Sequence, residues 1–361
     1  MKHIPFFLLL LLLTSCSREQ KKSQINHLNI DYRSEKKINL SDYVARTHFV
    51  QLETNENCII GNVTKAQLYD QKIFLLDEMT SILYEYDISG QFHKSLNRRG
   101  TGPEEYIQLK DFVVAEDGVY VLDFSSQTIF LYDFNFNYKE KYRYNSFASS
   151  FTLLDDAFLL YNEISMKDDD YQFTQIDKDG KILSEYLPRN MNSEPSFYWA
   201  SSNVFSKDKD SIYFSSRYSN TIYCKTEGSL HEAFYLDFGS KTIPKQKSYL
   251  NYNIYDLEFP YILREKFYVS DNFLIVDFFN KGKRMFTFFD KQNSIIQTGY
   301  VNNDLISGFD CFYPQWISEN CLIEVVNAYD ILNEFSIITT DMDISNLRVD
   351  DNPVILLYYL K

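Results

Sequence analysis

The feature that most restricts this chain is a strand–turn–strand unit that recurs six times. Its clearest copies span residues 72–87 and 119–133. Each is an apolar strand ending in a turn, with a second, aromatic-rich strand following. Both place an Asp at the end of the first strand, Asp77 and Asp123, and another ten residues later, Asp87 and Asp133. A repeat of this length and β character is one blade of a radial array, and blades stack because none buries its apolar faces alone. Six copies set the ring size. The expected fold class is therefore all-β: a six-bladed β-propeller with four antiparallel strands per blade, A to D from the axis outward.

Blade one is expected to run Val63–Tyr69, Lys72–Asp77, Ile82–Asp87 and Gln91–Asn97, with Gly90 supplying the positive φ of a tight hairpin. Blade two runs Leu109–Ala115, Val119–Asp123, Ile129–Asp133 and Tyr138–Tyr144, its first hairpin marked by Asp117-Gly118. Strands B to D of blade three fall at Ala157–Asn162, Phe173–Asp177 and Lys181–Leu187. Those of blade four fall at Ser211–Ser215, Thr221–Lys225 and Glu232–Phe238. Those of blade five fall at Phe273–Asp277, Met285–Asp290 and Ser294–Val301. Blade six has B at Cys321–Val326 and C at Pro353–Lys361, and lacks a fourth strand of its own. The run Thr47–Glu53 is expected to supply it, closing the ring and removing two open sheet edges.

The first fifteen residues read as a signal peptide: a Lys2 start and an apolar run, Phe6–Leu13, too short to span a bilayer. Leu13-Thr14-Ser15-Cys16 reads as a lipoprotein cleavage site, leaving Cys16 acylated and residues 16–37 as a lipidated polar tether before a propeller at 38–361. The formal charge of −14 argues against nucleic acid and anionic lipid as partners, both of which reward basic patches. A monomer anchored in the cell envelope through its lipid, at the outer membrane, is expected. Aromatic residues make up 17% of the chain, with 30 Phe and 29 Tyr, as suits stacked sheets. Cys58, Cys224, Cys311 and Cys321 form no CxxC pair, so a zinc site is not expected. Buried thiols are preferred over a Cys311–Cys321 disulfide.

In a propeller the D-to-A links and the B-to-C links emerge on one face. The long segments here are of those two kinds, so a binding site is expected on that loop-rich face. The most distinctive loop, Asn97–Tyr106, holds Arg98, Arg99, Gly100, Gly102, Pro103, Glu104, Glu105 and Tyr106. Either arginine could grip a carboxylate or phosphate through its guanidinium fork. The preferred alternative is a structural cap, with Glu104 or Glu105 pairing an arginine and Tyr106 packing over the axis. Aromatic side chains suited to sugars or peptides are Tyr198, Trp199, Tyr252, Tyr255 and Trp316, with inter-blade packing as the competing role. The strand-end acids Asp77, Asp123 and Asp277 could ring a Ca²⁺ ion, but their recurrence in three blades favours turn capping. No resident cofactor and no catalytic residues are expected: the five His fall in no HExxH or HxH, and there is no GxSxG.

With its cleavage site at Leu13–Cys16, with Ile38-Asn39-Leu40-Ser41 and Val50-Gln51-Leu52-Glu53-Thr54, and with Gly100–Tyr106 and Asn352-Pro353-Val354, the chain resembles the six-bladed β-propeller lipoproteins of Gram-negative, gut-type bacteria, which share the architecture of NHL-repeat propellers. The resemblance covers nearly the whole mature chain and implies fold and address rather than chemistry. The expected function is an envelope lipoprotein that binds a glycan, a peptide or a partner protein through its loop-rich face. The alternatives are a metal-dependent enzyme of the lactonase or lyase type working at the central channel, and an envelope scaffold.

Overall fold

A computed structural model describes residues 25–163, 170–189, 204–216, 219–226, 228–242, 260–334, 344 and 346–361. The strands form six sheets. Blade one is Val63–Tyr69, Lys72–Asp77, Ile82–Asp87 and Phe92–Leu96; blade two is Leu109–Ala115, Gly118–Asp123, Thr128–Tyr132 and Tyr138–Arg143. Blade three is Ala148–Leu154, Ala157–Asn162, Tyr171–Asp177 and Ile182–Pro188; blade four is Phe205–Asp208, Ser211–Phe214, Thr221–Thr226 and Ser229–Asp237. Blade five is Arg264–Val269, Phe273–Asn280, Lys283–Asp290 and Ile295–Asn302. In blade six, Trp316–Ser318, Cys321–Val326 and Val354–Leu360 are joined by Val44–Gln51, which lies antiparallel to Val354–Leu360 with His48 opposite Leu357.

The core is six wedges rather than one centre, each between adjacent blades. Phe74 and Leu76 of blade one, for example, pack on Phe112, Val121 and Tyr132 of blade two. Strands B and C are covered on both faces. That is why Ile73–Asp77 and Val119–Asp123 are buried at every position and read as continuous apolar runs. Gly90 and Gly180 turn the C–D hairpins of blades one and three with φ of +87° and +80°. Each turn presses on the end of the preceding blade's strand D. A Cβ at Gly90 would stand 1.9 Å from the Gln51 carbonyl oxygen, and one at Gly180 would stand 2.3 Å from that of Arg143.

The second Asp of the repeat caps the same hairpin. The Asp87 carboxylate accepts from the amides of Ser89 (2.8 Å) and Gln91 (3.2 Å). Asp133 accepts from Asn135 and Asn137, and Asp177 from Asp179 and Lys181. The Asn137 amide holds the Asp133 carboxyl below its ordinary range.

The N-terminal boundary differs from expectation. Within the segment read as tether, Asn26–Asn29 adds a fifth strand to blade four, parallel to strand D with Asn26 opposite Phe234. Lys37–Asn39 does the same on blade five, Lys37 opposite Tyr300. Their anchors are the single buried side chains Leu28, Ile30 and Ile38. Isolated apolar residues in a polar segment give no periodicity to read, so only the neighbouring sheets reveal the strands.

Candidate functional site

The inner strands of all six blades surround a central channel of about 1100 Å³, whose wall includes Lys65, Lys110, Ser150, Ser206, Lys266 and Trp316. Strand A carries a β-bulge at the same height in four blades, between Val63 and Lys65, Leu109 and Asp111, Ala148 and Ser150, and Arg264 and Lys266. A bulge re-aims a side chain at a barrel rim. Thr64, Lys110 and Ser149, the residues at three of these bulges, line the channel. Just beyond the bulges, Asp111 joins three blades. It pairs with Lys65 Nζ of blade one (2.5 Å) and accepts from Ser150 Oγ (2.6 Å) and the Phe151 amide (2.9 Å) of blade three. Lys110 pairs with Glu78 at 2.8 Å. Burial raises the carboxyl of Glu163, which the nearby Lys110 offsets in part.

The strand-end acids are held by the fold. Asp77 is fully buried and accepts from the amides of Gly61 (2.9 Å), Met79 (3.0 Å) and Thr80 (3.2 Å). Asp123 is likewise buried and accepts from the amides of Ile107 (2.8 Å), Gln108 (3.1 Å) and Ser125 (3.0 Å), and from Ser126 Oγ (2.7 Å). Each therefore ties its B–C turn to the link entering strand A, which is more than the turn capping expected. Asp277 differs: it accepts from the Lys266 amide (2.7 Å) and pairs with Arg284. Burial raises its carboxyl, against the pull of Arg284. Among the described residues, no three His, Cys, Asp or Glu side chains lie together as a metal site would require. Replacing Asp123 by Ala orphans these donors and is expected to cost about 2–4 kcal/mol in urea unfolding. Asp123→Asn, which keeps one acceptor oxygen, should cost less.

The loop 97–106 is built around Tyr106. That ring is fully buried, and its hydroxyl accepts from the Arg98 amide (3.0 Å) and reaches the carbonyls of Leu96 (2.9 Å) and Ser81 (3.0 Å). Glu105 folds back so that its carboxylate accepts from the Gly102 amide at 2.9 Å, and a Cβ at Gly100 would stand 1.9 Å from the same oxygen. Arg98 pairs with Glu104 at 3.7 Å and lies over the Tyr132 ring. Arg99 is exposed and has no ion-pair partner among the described residues. It lines a second cavity of about 540 Å³ between blades one and two.

Of the aromatic candidates, Tyr198, Trp199, Tyr252 and Tyr255 lie outside the described residues, as does Cys16. Trp316 was expected in a loop. It lies instead in the inner strand of blade six, half-buried against the wedge shared with blade one and at the channel wall. Cys58, Cys224, Cys311 and Cys321 are free thiols. Burial pushes the Cys311 thiol up to about 12, with Glu324 adding to the shift.

One feature of the loop-rich face was not read from the sequence. Of eleven exposed large apolar side chains among the described residues, seven lie in its links: Ile59, Met79, Ile107, Phe147, Tyr329, Leu332 and Val349. The remaining four are on outer strands, and none lies in an A–B or C–D turn. Met79 is 80% exposed and Ile59 62%. Apolar side chains gathered on one face mark an interaction surface. Ile59, Met79, Ile107, Phe147 and Val349 sit singly in links, and Tyr329 and Leu332 lie in the short helix Ala328–Glu334, so none belongs to a run long enough to read along the chain.

The fold is shared with known structures. A Bacteroides fragilis protein, named by inference as exported, is 19% identical with a TM-score of 0.75, over 94% of this chain and 100% of that one. A member of the DUF4221 family from Bacteroides vulgatus is 12% identical with a TM-score of 0.55, over 88% and 97%. Virginiamycin B lyase from Staphylococcus aureus is 12% identical over 87% and 99%, and its TM-score of 0.44 carries no argument about activity. No curated protein matches the sequence. The domain of unknown function DUF4934 matches residues 23–359, and the chain belongs to that family.

Proposed function

We propose that this protein is an exported, lipid-anchored propeller of the cell envelope that binds a polypeptide partner through its loop-rich face. The observation that carries the reading is the gathering of Ile59, Met79, Ile107, Phe147, Tyr329, Leu332 and Val349 on that face. Aliphatic side chains such as Ile59, Met79 and Ile107 offer no flat ring to a sugar, whereas they suit the apolar side chains of a peptide or protein. Beneath them stands a rigid scaffold, so binding orders few groups and little affinity is lost to entropy. The apolar run ahead of Cys16 supports export and acylation, and the name of the similar Bacteroides fragilis protein supports export.

A photo-crosslinking amino acid placed at Phe147, Met79 or Tyr329 in living cells is expected to capture the same protein from all three positions. The same probe at Leu230 or Ile295, exposed on outer strands, is expected to capture none. Equal capture from both sets, or none from the loop-rich face, would remove the reading.

A further inference from the structure

We propose that the cavity between blades one and two is a subsite for one carboxylate of that partner, flanked by an apolar side chain; this rests on the reading of the loop-rich face given above. Among the described residues, Arg99 is the one Lys or Arg in the wall of this cavity. Arg98, the adjacent residue, is paired with Glu104, whereas Arg99 lines the cavity and forms no ion pair among the described residues. The loop holding it is fixed from within: Gly100 donates its amide to the Tyr106 carbonyl (2.9 Å), and Tyr106 donates its own to that of Arg98 (3.2 Å). The guanidinium is therefore presented on a braced frame rather than a loose one.

The rest of the wall completes the match. Gln108 accepts from Ser125 Oγ through its side-chain oxygen (3.2 Å), which leaves its NH₂ group to donate. Met79 and Ile107, 80% and 42% exposed, form the apolar rim. The cavity also contains Glu78, neutralised by Lys110 at 2.8 Å. One uncompensated positive charge balances one carboxylate. A phosphate dianion would be under-balanced and would face Glu78. A planar guanidinium grips a carboxylate with two parallel hydrogen bonds, which an ammonium cannot reproduce.

The test uses the described protein and a phage-displayed library of random linear dodecapeptides, with the winners then synthesised. Enriched peptides are expected to carry Asp or Glu next to Leu, Ile, Met or Phe. Their Kd should rise at least tenfold with Arg99→Ala, and substantially with Arg99→Lys. Changing the peptide's Asp or Glu to Asn or Gln should cost the same factor and add nothing to Arg99→Ala. Amidated peptides show whether the carboxylate is terminal or a side chain. Because Arg99 is exposed and unpaired, Arg99→Ala should melt as wild type; if it does not, Arg99→Gln replaces it. Winners without an acidic group, or unaffected by Arg99→Ala, overturn the subsite. If such peptides are still lost on Phe147→Ser, the loop-rich face stands while the subsite falls. Peptides indifferent to both changes, or no enrichment at all, overturn both.

Discussion

Deleting residues 353–361 is expected to give a chain that does not fold and is recovered in inclusion bodies. The strand Val354–Leu360 lies inside blade six, between Cys321–Val326 and Val44–Gln51. Six of its seven residues are buried, namely Val354, Ile355, Leu356, Leu357, Tyr358 and Leu360. At about 1.5–3 kcal/mol for each buried side chain, their loss is worth roughly 9–18 kcal/mol, as much as the whole stability of a typical domain, about 5–15 kcal/mol. The deletion also removes the partner of Val44–Gln51 and opens two wedges at once, since the strand contributes to those on both sides. Solubility fractionation and a thermal melt by circular dichroism check this. A truncated protein that melts cooperatively near the wild-type temperature would show that the ring does not need this strand.

The largest point effect is expected at Asn352, just before that strand. Its side-chain amide donates to the carbonyls of Glu53 (2.7 Å) and Cys58 (2.7 Å), and its oxygen accepts from the Ile60 amide (2.9 Å). The residue is 3% exposed, so water does not replace these bonds. Asn352→Ala orphans the Ile60 amide, at about 1–3 kcal/mol, and takes one donor from each carbonyl, at about 0.5–1.5 kcal/mol apiece because Cys58 keeps the Tyr86 hydroxyl (3.1 Å) and Glu53 the Cys58 thiol (3.3 Å), for a total of roughly 2–6 kcal/mol. Asn352→Asp keeps the acceptor for Ile60 but sets a carboxylate against two carbonyl oxygens. Its deficit should exceed that of Asn352→Ala at neutral pH. It should shrink as the pH falls and the acid takes up a proton it can donate. Urea unfolding at neutral and acid pH reads both effects. Equal stability of Asn352→Asp and wild type at neutral pH would mean that this junction does not bind the link 52–60 to the last strand.

Legibility followed burial. Strands B and C are covered on both faces, so their apolar runs stood out, and blades one and two were placed almost residue for residue. The inner strands of blades three to six were not assigned, because one face of each looks into the channel and mixes Ser, Lys and Asp with apolar residues. The loop at 97–106 was visible for its Gly, Pro and Arg content. Only the coordinates separate its members, with Tyr106 and Glu105 as frame, Arg98 paired with Glu104, and Arg99 left over. Met79, Ile59 and Ile107 could not be told from core positions by residue type, since exposure belongs to the surroundings rather than to the side chain.

The order of residues alone specified the repeating blade, the ring size and the hairpins. Those depend on contacts a few residues apart: apolar runs buried on both sides, and Asp or Gly at turns whose backbone demands them. The tertiary structure decided what depends on distant parts of the chain. It brought Asp111 against Lys65 and Ser150, seated Asn352 on the carbonyls of Glu53 and Cys58, and laid Asn26–Asn29 along blade four. It also set Arg99, without an ion-pair partner among the described residues, beside an apolar rim. Whether a charge is matched or an apolar group covered is a property of neighbours in space, and curling the chain into a ring chooses those neighbours.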